Sequence, residues 1–407
     1  MNNRVEALHT NDKIIRIHDG LLIAVGNHGV GKTNFLTSIV DGTCKIISDK
    51  TYRIAPLLLS SYDKGVFIKL LDTIDDFSSF INNENDIVNK EMILQRIPTK
   101  EILLSNQSPY FLAYRRLVFL QLLLKSEEKY AIVIDEPELF AHPLIVRDIC
   151  SILLQLQKKG NLIIMATNSE TIVSKMFVDI EQVVRLEEKK GIIQVNAEQL
   201  IKDVQDFYSQ DIYLTRRFSQ ASQIDIGLQN ILSNYIRVYL SSIFNKQMYA
   251  IMHSDCVILG EGSSEDVLFD YIDQVLQPKW MREYRVHYMG CLGKSSMPFY
   301  FLFLNHLKIK TVCLFDKDNE QNRVHAAYAK IFKEYEQTHK SLFAKMILDP
   351  DLEHVLDIVP EYTLMSIEKP INIYHHTFGT NGVVHKVEEI SNLMKLLFVE
   401  MDERGSV

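Results

Sequence analysis

The octapeptide Gly26-Asn27-His28-Gly29-Val30-Gly31-Lys32-Thr33 constrains this chain more than any other stretch. It fits GxxxxGK[ST] at every fixed position, between an apolar run at 21–25 and the helix-like start Asn34-Phe35-Leu36. Strand, glycine-rich loop and helix in that order are what phosphate binding demands. Glycines let backbone N–H groups close around phosphate oxygens, Lys32 reaches the β- and γ-phosphates, and the Thr33 hydroxyl holds Mg²⁺. Gly26, Asn27, His28, Gly29, Gly31, Lys32, Thr33 and Asn34 are therefore candidate contacts for a nucleoside triphosphate, ATP or GTP. A plain glycine turn with an exposed lysine explains the loop but not its flanking elements.

A second apolar run, 131–134, ends in Asp135-Glu136, and a third, 162–166, follows the amphipathic stretch 144–157. Buried strands alternating with helices imply an α/β domain. The acidic pair suits the phosphate loop: Asp135 joins the Mg²⁺ shell and Glu136 polarises the attacking water. Asp135-Glu136-Pro137-Glu138 followed by His142-Pro143 resembles the Walker B and adjoining segment of RecF-, SMC- and OLD-type ATPases, a resemblance that GTPases do not share and that implies ATP. In that group two heads sandwich nucleotide, each giving the other a signature serine. Ser105 in Leu104-Ser105-Asn106-Gln107 stands in that place without the usual glycines, and an ordinary helix cap would also explain it. His28 replaces the asparagine usual in the group's phosphate loop, and Asn168 stands where its members carry a histidine that senses the γ-phosphate. Asparagine donates hydrogen bonds but takes no charge, so slow ATP turnover is expected.

The α/β pattern restarts at 256–259 and 311–315, with a helical pattern at 298–307 between. The first run leads into Glu261, then Glu265 and Asp266; the second ends in Asp316-Lys317-Asp318, 55 positions after Glu261. Carboxylates at neighbouring strand ends can converge on Mg²⁺ or Mn²⁺ and activate water against a phosphodiester. Chance acidic strand ends are the simpler explanation. Glu265 and Asp266 also suit a helix N-terminus. The order of these motifs, with a glycine-containing turn at 290–294, resembles a TOPRIM domain. Asp351-Leu352-Glu353 and then Lys369 extend the resemblance to the OLD (overcoming lysogenization defect) family of ATP-dependent nucleases. It implies Glu261, Glu265, Asp316, Asp318, Asp351 and Glu353 as metal ligands and Lys369 as a transition-state cation. Lys369 is equally explained as a solvated surface lysine.

A chain of 407 residues exceeds what one core usually organises. The expected division is an ABC/RecF-like ATPase domain over 1–205, a helical connector over 206–250 and a TOPRIM domain over 251–407. Apolar residues three to four apart across 224–244 mark the connector as an amphipathic helix, suited to dimerisation or core packing. Five scattered cysteines suggest neither disulfides nor zinc, and the absence of an 18-residue apolar span or leader suggests a cytoplasmic protein without membrane association. A net charge of −8 argues against coating nucleic acid by bulk charge but leaves room for a local groove. Candidate contacts are Lys279, Arg282 and Arg285 interleaved with Trp280 and Tyr284, or else these form a solvated basic face over core aromatics. Arg115-Arg116 and Arg216-Arg217 are further basic pairs.

The resulting expectation is an ATP-regulated, metal-dependent DNA endonuclease, a homodimer or higher oligomer. The resemblance adds a setting in anti-phage defence with a partner protein or RNA. The competing expectation is a RecF-like DNA-binding ATPase or switch whose TOPRIM-like region does not cut.

Overall fold

The structure, a computed structural model, describes residues 6–10, 13–58, 68, 70, 72, 109–188, 190–210, 241–242, 244–291, 293–317, 323–358, 368–379 and 383–405. The chain is mixed α/β and folds as two compact units, Met1–Gln194 with Ser241–Met252, and Val195–Leu240 with His253–Val407.

The first unit contains β1 (Glu6–His9), β2 (Ile14–Ile17), β3 (Leu21–Val25), β4 (Lys45–Ile47), β5 (Arg53–Leu57), β6 (Tyr130–Asp135), β7 (Leu162–Ala166), β8 (Val183–Glu187) and β9 (Gly191–Gln194). Six of these form a sheet in the order β5-β6-β7-β3-β8-β9, parallel except for the β8–β9 hairpin. β1, β2 and β4 form a separate antiparallel sheet. Every residue of β3, β6 and β7 is buried. Continuous apolar strands of this kind belong in parallel sheets covered on both faces. The expected amphipathic stretch is the helix Pro143–Lys158, whose proline stands in the first turn and whose N-cap His142 accepts from the Leu144 N–H. Its buried stripe runs Ile145, Ile149, Ile152, Leu153, Leu156. Register places Ala24, Ala166 and Asp135 in one row across β3, β7 and β6, so the loops after all three leave the same edge.

The second unit carries the strands β10 (Cys256–Gly260), β11 (Val286–Gly290), β12 (Lys310–Asp316) and β13 (Phe343–Leu348) in an all-parallel sheet ordered β11-β10-β12-β13. Gly260 pairs with Gly290 and Leu314, and Asp316 with Leu348, so the segments carrying Glu261, Lys294, Asp316 and Asp351 again leave one edge. Helices Ser263–Tyr271, Met297–His306 and Val384–Gly405 bury apolar faces in this unit. The helix Ala197–Ser209 also belongs to it, so the expected boundary after residue 205 falls inside a helix.

The connector pattern at 224–244 lies outside the described residues except for Ser241, Ser242 and Phe244, as do Ser105, Asp318 and the Arg216-Arg217 pair. All five cysteines are free and buried, as reduced core residues should be. No helix among the described residues is long and apolar enough to cross a membrane.

Of the two readings of the 279–285 stretch, packing selects a solvated basic face over core aromatics. Trp280 is only 4% exposed; its Nε1–H donates to Ser391 Oγ at 3.2 Å, and its ring lies against Phe398. Tyr284 stacks on the same phenylalanine. Lys279, Arg282 and Arg285 are exposed, and Arg285 pairs with Asp255 at 2.6 Å. Arg115 and Arg116 are buried too. An aromatic ring with its polar edge satisfied inside a core cannot stack on a base without local unfolding. Trp280 is the only tryptophan of the chain, so emission should be blue-shifted, report unfolding of the second unit alone, and stay unquenched when single-stranded oligonucleotide is added. A water-like emission maximum in the native protein would contradict this burial.

Candidate functional site

The first candidate site lies at the edge where β3, β6 and β7 end. After β3 the chain must turn beneath a neighbouring strand. A Cβ on Gly26 would lie 2.5 Å from the carbonyl oxygen of Leu186, so only glycine fits. Lys32 opens the helix Lys32–Val40 and is 7% exposed. Its Nζ–H groups donate to the carbonyl oxygens of Gly26 at 2.6 Å and Asn27 at 3.0 Å. Burial lowers the ammonium pKa, against the attraction of Glu136, Asp135 and Glu138. His28, Gly29, Thr33 and Asn34 face solvent on the loop and first turn.

Asp135 is brought beside this loop by strand register rather than by sequence. Thr33 Oγ1–H donates to its Oδ2 at 2.8 Å, while its Oδ1 is buried with no hydrogen-bond partner. Burial raises the Asp135 pKa and the Thr33 hydrogen bond opposes that. A desolvated carboxylate oxygen without a donor is costly, and a hydroxyl and carboxylate side by side are suitable hard oxygen donors for Mg²⁺. Glu136 adopts φ +43°, its N–H donating to Ala166 O at 2.8 Å. Asn168 Nδ2–H donates to Glu136 Oε1 at 2.7 Å, so the residue expected to sense the γ-phosphate orients a carboxylate here.

The parts that Arg116, Glu138 and Thr167 play in this site do not follow from the sequence pattern. Arg116, 2% exposed, donates to the carbonyl oxygens of Glu136 at 2.8 Å and Asp135 at 3.1 Å. Glu138 receives the Asn168 N–H at 2.7 Å and the Thr167 hydroxyl at 2.9 Å, fastening the β6 loop to the β7 loop. An arginine pair, Arg115-Arg116, within an otherwise apolar helical stretch is the available signal for Arg116; nothing in sequence spacing pairs Glu138 with Thr167.

The second candidate site occupies the corresponding edge of the other sheet. A Cβ on Gly260 would collide with the Tyr288 ring, which is stacked on Phe269, so the close approach of β10 to β11 needs glycine. Glu261 follows, its Oε2 buried without a hydrogen bond and 3.7 Å from Lys294 Nζ. Glu265, 3% exposed, turns Oε2 back to accept the Gly262 N–H at 2.8 Å and so caps its own helix. Asp316 Oδ1 accepts from the Leu352 N–H at 3.1 Å, which fastens the Asp351 segment to β12. Asp351 accepts from the N–H and ring of His354, and Glu353, 4% exposed, leaves Oε1 buried without a hydrogen bond at 3.5 Å from Lys369 Nζ.

Burial pushes the Asp316 carboxyl up to about 7, and the fields of Glu261, Glu353 and Asp351 push the same way. Those causes place four carboxylates within electrostatic reach of one another. Among the described residues no three of them close on a single point as a finished metal cage. Two buried carboxylate oxygens lacking donors nevertheless fit an added hard cation. Lys294, missed as a functional residue although its turn was noticed, reaches into the same cluster.

Burial likewise pushes Glu265 up to about 7 from 4.5, helped by Asp316 and Glu261. An acid that holds its proton more tightly when folded favours the native state at low pH, and its contribution turns unfavourable as pH rises through that window. Glu265→Gln keeps an acceptor for Gly262 and removes the charge. In metal-free buffer it should flatten the loss of stability between pH 5 and 8, gaining about 1–3 kcal/mol at pH 8 by denaturant titration. An unchanged pH slope would refute this account of Glu265.

No curated protein matches the chain. Residues 252–318, from the approach to β10 through the end of β12, match the family model described as overcoming lysogenization defect protein-like, TOPRIM domain.

Proposed function

We propose that this chain is an ATP-regulated, divalent-metal-dependent DNA endonuclease of the OLD type. The observation that carries the reading is the gathering of Glu261, Asp316, Asp351 and Glu353 with two lysines at one edge of a parallel sheet, of which Glu261, Lys294 and Asp316 lie in the segment 252–318 matched by a TOPRIM model. Glu261, Asp316, Asp351 and Glu353, with Asp318, would hold Mg²⁺ or Mn²⁺. A bound divalent ion supplies Lewis acidity and an activated water at the phosphodiester. Glu265 supports these ligands from the helix start. Lys369, beside Glu353, offers positive charge to the oxygens that become more negative as the phosphate is attacked.

The regulatory half rests on the first unit. Lys32 and the loop N–H groups would receive ATP phosphates, Thr33 and Asp135 would hold Mg²⁺, and Glu136, in the orientation that Asn168 gives it, would accept a hydrogen bond from the attacking water. A neutral Asn168 stabilises the leaving phosphate less than a cation would, so nucleotide acts chiefly as a slowly cleared switch.

The test is cleavage of defined single- and double-stranded DNAs with Mg²⁺ or Mn²⁺, with and without ATP. Wild type should cut, Asp316→Ala should lose about 100-fold or more, and Lys32→Ala should cut without responding to ATP. If wild type and Asp316→Ala both leave every DNA intact, the nuclease reading fails; Lys32-dependent DNA binding without cleavage would then support the RecF-like alternative.

A further inference from the structure

The loop after β11 is stitched to the residues that carry the first carboxylate. Cys291 N–H donates to Gly260 O at 3.0 Å and Gly293 N–H to Glu261 O at 2.6 Å. Two further backbone bonds, Ser296 to Gly293 O and Met297 to Lys294 O, close the turn on either side of Lys294. The lysine is thereby aimed across the sheet edge. Only 8% exposed, it donates from Nζ to Asp316 O at 3.0 Å, lies 3.7 Å from the buried Glu261 Oε2, and passes 4.6 Å above the Phe315 ring. One side chain from the β11 loop thus ties together the ends of β10 and β12.

A buried ammonium is expensive unless nearby negative charge compensates for lost hydration. The compensating charge here is the carboxylate cluster, and the reverse also holds. Without a cation among them, Glu261, Asp316, Asp351 and Glu353 repel one another at an edge that has little water to screen them. Lys294 stands where a positive charge relieves that repulsion, its loop tethered through the N–H of the preceding Gly293 to the residue it neutralises.

We propose that Lys294 is a built-in counter-ion of the carboxylate cluster: it holds the β10 and β12 ends together when no metal is bound, and it competes with a divalent cation for Glu261. It is a positioning residue. This rests on the metal-site reading above and adds a property that reading does not contain, namely that metal affinity is set low by an internal cation. A cluster so arranged folds without metal and takes it up reversibly.

The test uses Lys294→Met, which keeps the aliphatic stem over Phe315 and removes the charge, and Lys294→Arg, which keeps the charge. Unfolding of the second unit is followed by Trp280 emission in full-length protein, in EDTA and across a Mg²⁺ or Mn²⁺ titration. Lys294→Met should unfold at lower temperature than wild type in EDTA. It should also recover with metal, reaching half-saturation at a metal concentration about tenfold or more below that of wild type. Lys294→Arg should stay near wild type in both respects. A lysine that only packs would lower the melting temperature equally with and without metal, leaving half-saturation unmoved, and that result overturns the proposal. So does a Lys294→Met chain that metal does not restore.

The double variant Lys294→Met/Glu261→Gln separates this inference from the metal-site reading. In EDTA the lysine substitution should lower the midpoint much less when Glu261 is already neutral. If wild type gains no stability from any divalent ion, the metal-site reading falls. An equal loss from Lys294→Met in both backgrounds rejects the counter-ion.

Discussion

A carboxylate at the carboxyl end of a buried parallel strand has lost much of its hydration, at several kcal/mol per ion, and other groups must replace the missing water. Both units of this chain are organised around that requirement. In the first, the Thr33 hydroxyl reaches one oxygen of Asp135, Thr167 and the Asn168 N–H take both oxygens of Glu138, and the Asn168 side chain takes Glu136. In the second, Leu352 N–H bonds Asp316, and Lys294 and Lys369 stand beside Glu261 and Glu353. Within these two clusters the buried oxygens left without donors, Asp135 Oδ1, Glu261 Oε2 and Glu353 Oε1, belong to residues expected to meet cations.

Parallel pairing makes such clusters possible because it brings several strand ends, each with its own loop, to one edge. It also imposes close approaches, and glycine meets them at Gly26 beneath the Leu186 carbonyl and at Gly260 against Tyr288. These are packing constraints that also shape chemistry, since the site residues Asn27 and Glu261 follow directly on these two glycines. Arg116 extends the same logic below the surface. By bonding the backbone of Asp135 and Glu136, it fixes two carboxylates without touching either carboxyl group.

Much of this was legible in advance because it is local. The glycine-rich turn after β3, the apolar strands ending in Asp135 and Asp316, and the proline-started helix after His142 all follow from short-range pattern, and the structure forms these elements where that pattern implies. Trp280 marks the limit of such pattern, because the sequence offered both a nucleic-acid face and core aromatics for the same stretch. Basic and aromatic residues alternating over a few positions look alike whether the aromatics face solvent or core, and only the Val384–Gly405 helix, more than a hundred residues later, supplies the Ser391 and Phe398 that bury it. Lys294 was overlooked for a related reason. A lysine after a glycine turn is ordinary until β12 is placed beside β10.

By itself, then, the amino-acid order determined the element types, the identity of the chemical groups and their positions at strand ends, because hydrophobic periodicity and turn chemistry act within a dozen residues. Tertiary structure alone decided which carboxylates share a field, which lysine neutralises them and which aromatic is core. Those outcomes depend on strand register and on desolvation, and both arise only when segments far apart in the chain are packed against one another.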